Sequence, residues 1–421
     1  MNIIRGFCVA KTPYYDVSTW FRTNAEEDLE LKNKLEKNFL KFPFELFDAI
    51  FSQKSFIDIE RLNVHDRESG LSFIKNYGYD VTDPEIAETV ASILSEAKTF
   101  IQSYLLEDPE GKTETLVIPP DILCNDDIVS LLIMASEREK TLEQAWACAI
   151  LRVAHTITHV ENDLAKSFMP GIRNQIYKRF SAHLNGNSAG GYFLGTGDDA
   201  IRLKLFEIKN DKSRDSLILK LLHKKENVTA DIFDRVGVRI VTYSKLDIIL
   251  VLRYFATNHV ISFANIKPSR TKNNVVNIPR FIEGVEELKS YDLSSWSQDD
   301  VAEFLERYLE IPPEEKEEIT KRNIEETNLY SSTSYSSIQL TSRLLITMED
   351  PINPSKPIYR FFFPFEVQIL DEESFTESRS GRANHEEYKK NQTIAARKRV
   401  LTNVIRYMRQ HPWEREVANE K

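Results

Sequence analysis

Residues 200–259 read AIRLKLFEIKNDKSRDSLILKLLHKKENVTADIFDRVGVRIVTYSKLDIILVLRYFATNH, and their hydrophobic period passes from strand to helix and back again. AIRLKLFEIK alternates apolar and polar side chains, as a half-buried strand does. SLILKLLHKK repeats at helical spacing, GVRIVTY is a short apolar strand, and KLDIILVLRYFATNH is a helix. Further on, RFFFPFEVQIL at 360–370 reads as one long strand. Strands alternating with helices predict an α+β or α/β unit built on one sheet.

Working outward, the chain before this unit is helical. From Glu26 to Asp108, EEDLELKNKLEKNFLKFPFELFDAIF and DPEIAETVASILSEAKTFIQSYLLED carry apolar residues at i, i+3, i+4 and i+7. Asp83-Pro84-Glu85 supplies a capping acid followed by proline in the first turn. ETLVIPPDIL predicts an extended link broken by Pro119-Pro120. TLEQAWACAILRVAHTITHVENDLAKSF predicts one long helix ending at Met169-Pro170. The expected organisation is a helical N-terminal domain over 1–150 and a second domain over 151–421. Asn185–Gly197, with five glycines in thirteen residues, predicts a flexible turn before a strand. Residues 275–332 are polar and acidic and look like an insertion with one amphipathic helix, SQDDVAEFLERYLEI, capped by Ser297. NQTIAARKRVLTNVIRYMRQH near the C-terminus is a basic amphipathic helix whose charges, with Lys389 and Lys390, would suit a polyanion or simply face water.

Composition narrows the function classes. Hydrophobic residues make up 41% and charged residues 29% of 421, which is ordinary globular usage. A net charge of −10 argues against a chain that coats nucleic acid. Cys8, Cys124 and Cys148 are odd in number and widely spaced, so neither a disulfide framework nor a CxxC metal knuckle is expected; buried, inert thiols are. The N-terminal apolar run is too short for a signal peptide, and no window approaches the ~20 apolar residues that span a bilayer. The expectation is a cytoplasmic protein without a membrane segment.

Two carboxylates stand where chemistry could use them. In FFFPFEVQIL, Phe361, Phe363, Phe365, Val367 and Ile369 share one face by period two, leaving Glu366 and Gln368 on the other. A carboxylate inside such a strand is costly unless it is paired or binds metal. Its bland reading is a salt bridge to a lysine or arginine across the sheet. Asp234 precedes the strand GVRIV, so the two acids could serve one cation from neighbouring strands. Upstream, Arg202 to Lys225 holds eight Lys/Arg against three Asp/Glu, a local excess of five inside an acidic chain. Lys212, Ser216 and Lys220 fall at i, i+4 and i+8, one helical face.

In this order the pieces resemble the synthetase domain of the RelA/SpoT family, over a little under half of the chain. K-x-x-x-S-I-x-x-K matches Lys212, Ser216 and Lys220. D-x-x-x-x-R matches Asp234 and Arg239. G-Y-Q-S-I-H is similar to SYSSIQ, with Tyr335, Ser337 and Gln339, and E-V-Q-I-R-T to EVQILD, with Glu366 and Gln368. A-A-H-W-x-Y-K is similar to ANHEEYKK, with His385, Tyr388 and Lys389, and the P-K-x-N-G loop to RTKNN around Lys272.

The resemblance implies an α+β fold with a nucleotidyltransferase-like mixed sheet flanked by helices. It also implies transfer of pyrophosphate from ATP to a guanine nucleotide, as in the alarmone synthesis of the stringent response. Mg²⁺ would sit on Asp234 and Glu366, the catalytic acids. ATP would be held by Lys212, Ser216, Lys220 and Arg239, and the acceptor by Lys272, Tyr335, Ser337, Gln339, Gln368 and His385. Some relatives modify a tRNA 3′ end, so RNA is a second acceptor class. The chain departs from the pattern at Asn210, where the family's adenine-stacking arginine stands and for which the neighbouring Lys209 could substitute. It departs again at Gln339 in place of histidine, and at Leu370 and Asp371. These departures keep open a non-catalytic nucleotide-binding or interaction protein.

One rival cluster remains. His155, His159 and Asp163 lie at i, i+4 and i+8 on the expected long helix and could hold a metal there. The bland reading is helix-surface or structural histidines.

Overall fold

A computed structural model describes residues 58, 61–111, 115–163, 165–187, 191–209, 213–224, 235–312, 315, 336–349, 357–380 and 385–411. The described chain is α+β. It begins with a helical run, α1 (Arg67–Tyr77), α2 (Pro84–Tyr104), α3 (Pro120–Leu123), α4 (Ile128–Met134), α5 (Leu142–Glu161) and α6 (Met169–Ser181). Asp83 caps α2 by accepting from Glu85 N at 2.9 Å, with Pro84 in its first turn.

The sheet and its helices follow. They are β1 (Leu184–Asn187), β2 (Gly191–Leu194), β3 (Ile201–Lys209), α7 (Arg214–His223), β4 (Gly237–Thr242), α8 (Lys245–Thr257) and β5 (Lys272–Asn273). Then come α9 (Ile278–Leu288), α10 (Gln298–Leu309), β6 (Ile338–Glu349), β7 (Pro357–Asp371), α11 (Glu372–Ser380), α12 (His385–Val400) and α13 (Thr402–Gln410). The seven strands run in the order β1-β2-β3-β4-β7-β6-β5. β4 and β7 are parallel, and the other pairs are antiparallel.

Two cores hold these elements. One face of the sheet, with Phe206, Val238, Ile240, Leu340, Phe365, Val367 and Ile369, packs against α6 and α8 through Ile172, Ile176, Phe180, Ile248, Val251 and Phe255. The other core lies among α1–α5, closed by Leu217, Ile218, Leu221 and Leu222 of α7 and by Ala396, Val400, Leu401 and Val404 near the C-terminus. The expected boundary near 150 falls inside α5, whose Val153, Ile157 and Val160 belong to the helical core.

Several expectations change. The long helix predicted over 141–168 stops at Glu161. Asn162 Nδ2 turns back onto the Thr158 carbonyl (2.9 Å) and Asp163 Oδ1 accepts from Ala165 N (3.1 Å), so short polar side chains offer the backbone an alternative to another helical turn. A separate helix starts at Met169, with proline in its first turn.

The glycine-rich segment forms the hairpin strands β1 and β2 instead of a loose turn. Gly186 has φ +91°, and a Cβ there would meet the Gly191 carbonyl oxygen at 2.1 Å, so only glycine allows this approach.

The insertion contains two described helices, not one. Glu306 of α10 accepts from Lys245 N (2.8 Å) and Leu246 N (2.9 Å), capping the N-terminus of α8 from outside.

The basic C-terminal helix is broken at Leu401, and two of its cations turn inward. Arg397 Nε donates to the Leu105 carbonyl (2.9 Å), while Arg399 pairs with Asp58 and bonds the Leu222 carbonyl. They are therefore engaged in packing rather than offered to a polyanion. Cys124 is exposed, contrary to the expectation of three buried thiols; Cys148 is buried and Cys8 lies outside the described residues. No helix among the described residues is long and apolar enough to cross a membrane.

Candidate nucleotide site

The sheet register brings distant polar residues into two neighbouring rows on the face opposite α6 and α8. One row runs Lys209, Gly237, Glu366, Thr341, and the next runs Glu207, Arg239, Gln368, Gln339, Lys272. Five strands contribute. Period two along each strand puts the polar residues on one face and the apolar ones on the other.

Glu366 lies at the centre, 9% exposed. Gln339 Nε2 donates to its Oε1, and Gln368 Nε2 donates to its Oε2 at 2.8 Å. Among the described residues no lysine or arginine pairs with it. The bland expectation of a salt bridge is thus not what these residues form. The nearest described cation in the network, Lys209 Nζ, donates to Gln368 Oε1 at 2.6 Å. Its side chain crosses Gly237, where an added Cβ would stand 3.3 Å from Lys209 Cδ.

Arg239 is held by Glu207, with Nη1 to Oε1 at 2.8 Å, and its guanidinium lies 5.9 Å from the Phe375 ring centroid. Lys272 pairs with Gln339 in the ladder even though the insertion separates them in sequence. Asn274 Oδ1 accepts from Ser337 N at 2.8 Å, fastening the segments on either side of the insertion together. The segments before and after the insertion therefore meet at one sheet edge.

The basic ladder is divided. Ser213 caps α7 and its hydroxyl meets Ser216 Oγ at 2.8 Å. Lys220 is buried beside Leu217 and Leu221, which face the helical core. Lys212, Asp234, Tyr335 and Asn210 lie outside the described residues, as does the side chain of His385, whose backbone opens α12. Leu370 and Asp371, the departures from the family pattern, are both buried.

The rival histidine cluster does not converge. His155 Nδ1 meets Tyr77 Oη at 2.7 Å and its ring stacks edge-on against His159 at 4.5 Å. Asp163, beyond the end of α5, forms an ion pair with the buried Arg235. Burial, reinforced by the neighbouring His159, holds His155 down at about 4. No group of three metal-ligating side chains occurs among the described residues.

The sequence alone singles out neither Glu207 nor Thr341, and it offers Lys209 only as a substitute for the missing arginine. The signal was present, since AIRLKLFEIK alternates and so puts Glu207 and Lys209 on one face, but their neighbours across the sheet were not readable. No protein-family model matches the sequence, and no curated protein matches it.

Proposed function

We propose that the chain is a magnesium-dependent pyrophosphokinase, moving pyrophosphate from ATP to the 3′-hydroxyl of a guanine nucleotide or of an RNA end. The fold proposed with it is nucleotidyltransferase-like. Glu366 carries the reading, because a buried carboxylate with two amide donors and no cationic partner among the described residues is expensive without a positively charged ligand.

The residues suit a hard divalent cation. Each Glu366 oxygen accepts one amide hydrogen bond from the described residues and keeps a lone pair for a metal. Glu366 would hold Mg²⁺ together with Asp234, as the resemblance implies. When bound, the ion neutralises charge on the donor phosphates.

In the transfer, the acceptor oxygen attacks the β-phosphorus of ATP. A new O–P bond forms, the bond from the β-phosphorus to the α,β-bridging oxygen breaks, and AMP leaves with that oxygen. The hydroxyl proton passes to Glu366 or to a water that it orients. Lys209 and Arg239, fixed by Gln368 and Glu207, set positive charge beside the reacting phosphates. Lys212 completes the phosphate contacts in this proposal. Lys220, buried on α7, supports them from behind. Tyr335 stacks on the acceptor base, with Lys272, Ser337 and His385 around it.

Incubation with γ-³²P-ATP and GDP, GTP, AMP or bulk tRNA tests this. Label should move onto one acceptor and not in Glu366→Ala. Tight ATP binding without transfer to any acceptor supports the second reading, a non-catalytic nucleotide-binding protein. That reading draws on Gln339, whose amide is engaged by Glu366 where the family carries a histidine.

A further inference from the structure

The helical body contains a cavity that the proposed chemistry does not use. It has a volume of about 60 Å³ and is walled by α1, α2, α4 and α5. Leu94 and Leu132 are buried in its wall, and Ala154 leaves space on α5 where a larger residue would fill it. Tyr77, 38% exposed, places its mouth at the surface. Among the described residues no charged side chain lines it. Among those residues its polar groups are the Tyr77–His155 pair, Tyr79, whose hydroxyl accepts from Asn162 Nδ2 at 2.8 Å, and Thr158, whose hydroxyl already donates to the Ala154 carbonyl at 2.9 Å. With His155 neutral at pH 7, such a lining penalises ions, which would lose hydration without gaining a counter-charge. It suits a compact apolar body bearing one hydroxyl that can join the Tyr77–His155 pair.

The helices that wall the cavity also grip the elements around the nucleotide site. Glu96 of α2 accepts from Arg214 Nη2 at 2.8 Å, and Glu161 of α5 accepts from Arg214 Nε at 2.6 Å. Arg214 is the first residue of α7, directly after the Ser213 cap. Tyr104 of α2 donates to Asp215 at 2.5 Å. Two residues past α5, Asp163 pairs with Arg235, which follows Asp234 and leads into β4.

We propose that this cavity is an effector site for a small uncharged molecule, a branched alcohol or a single hydroxylated ring. Its occupancy is transmitted through α2 and α5 to the α7 and β4 elements of the nucleotide site. The transmission rests on the nucleotide reading above; the cavity site does not.

The test uses 4-fluorophenol as probe, followed by ¹⁹F NMR on the full chain, with isobutanol as competitor. Saturable broadening reversed by isobutanol is expected. Ala154→Leu, which fills the space, and Ile93→Trp, which covers it from α2, should each weaken probe binding at least tenfold. Circular dichroism and melting identify a variant that fails to fold, and the other then decides. Absence of saturable binding, or wild-type affinity in a folded filled variant, overturns the site.

Transmission is read as the ratio of ATP dissociation constants with and without probe. By linkage the same factor appears in probe affinity with and without ATP. A change of threefold or more, lost in Arg214→Gln, is expected. A factor of one with ATP bound overturns transmission alone. If ATP binds in neither state, the nucleotide reading and transmission both fall, and the cavity site stands on the NMR result.

Discussion

In the proposed transfer Glu366 is the residue on which the chemistry turns, because its amide partners fix its orientation without cancelling its charge. Glu366→Gln keeps the shape and removes the charge. Transfer should fall by about 10²–10³-fold or more in the labelled-ATP assay, with the thermal midpoint little changed. Gly237 makes a separate demand. Gly237→Ala should push Lys209 off Gln368 and weaken ATP binding measured by calorimetry, since the new methyl contests the path of the lysine side chain. The Asp163–Arg235 pair is nearly enclosed, at 13% and 7% side-chain exposure. Asp163→Asn leaves the guanidinium without its counter-charge and should cost about 3–5 kcal/mol in urea unfolding. None of these partnerships follows from spacing in the sequence. Glu366 and Gln368 could be put on one strand face, but Gln339 as the amide above Glu366 could not.

The α8 helix shows how an element is completed by a distant one. Ser244 and Asp247 form its capping box, while Glu306 from the insertion satisfies the first two helical N–H groups. Glu306→Ala should cost about 1 kcal/mol, seen as a lower urea midpoint with an unchanged slope. The helical part of the ladder gives a second case. Its period correctly predicted α7, yet Leu217, Ile218, Leu221 and Leu222 could equally have faced the sheet. They face the helical body instead, which buries Lys220 and brings Arg214 between Glu96 and Glu161.

Across the molecule, the C-terminal helices close the helical core, so the first and last described parts of the chain stabilise one another. Arg152 Nη1 donates to the Val400 carbonyl at 2.8 Å, and Arg397 bonds the Leu105 carbonyl across nearly three hundred residues. Acid should loosen this body. His155 and His223 are both held down at about 4 by burial, against 6.5 when unfolded, so the unfolded chain binds more protons between these values. Stability is present above about pH 6.5 and is lost as pH falls toward 4. His155 alone accounts for about 2–3 kcal/mol at pH 4.5. Urea midpoints at pH 7 and pH 4.5 should therefore differ less in His155→Gln than in the wild-type protein.

The sequence by itself determined β3, α7, β4, α8, α10 and β7, and the face of β7 that carries Glu366. It also determined the caps at Asp83 and Ser297, because alternation and capping act over a few residues. It could not determine where α5 ends, since Asn162 and Asp163 act there partly through Tyr79 and Arg235, both far away in the chain. Tertiary structure alone decided that Lys272 returns to Gln339 across the insertion, that Lys209 reaches Gln368, and that a cavity remains beside Ala154. Periodicity specifies which face of an element is apolar. Which neighbour covers that face is settled by packing the whole chain at once.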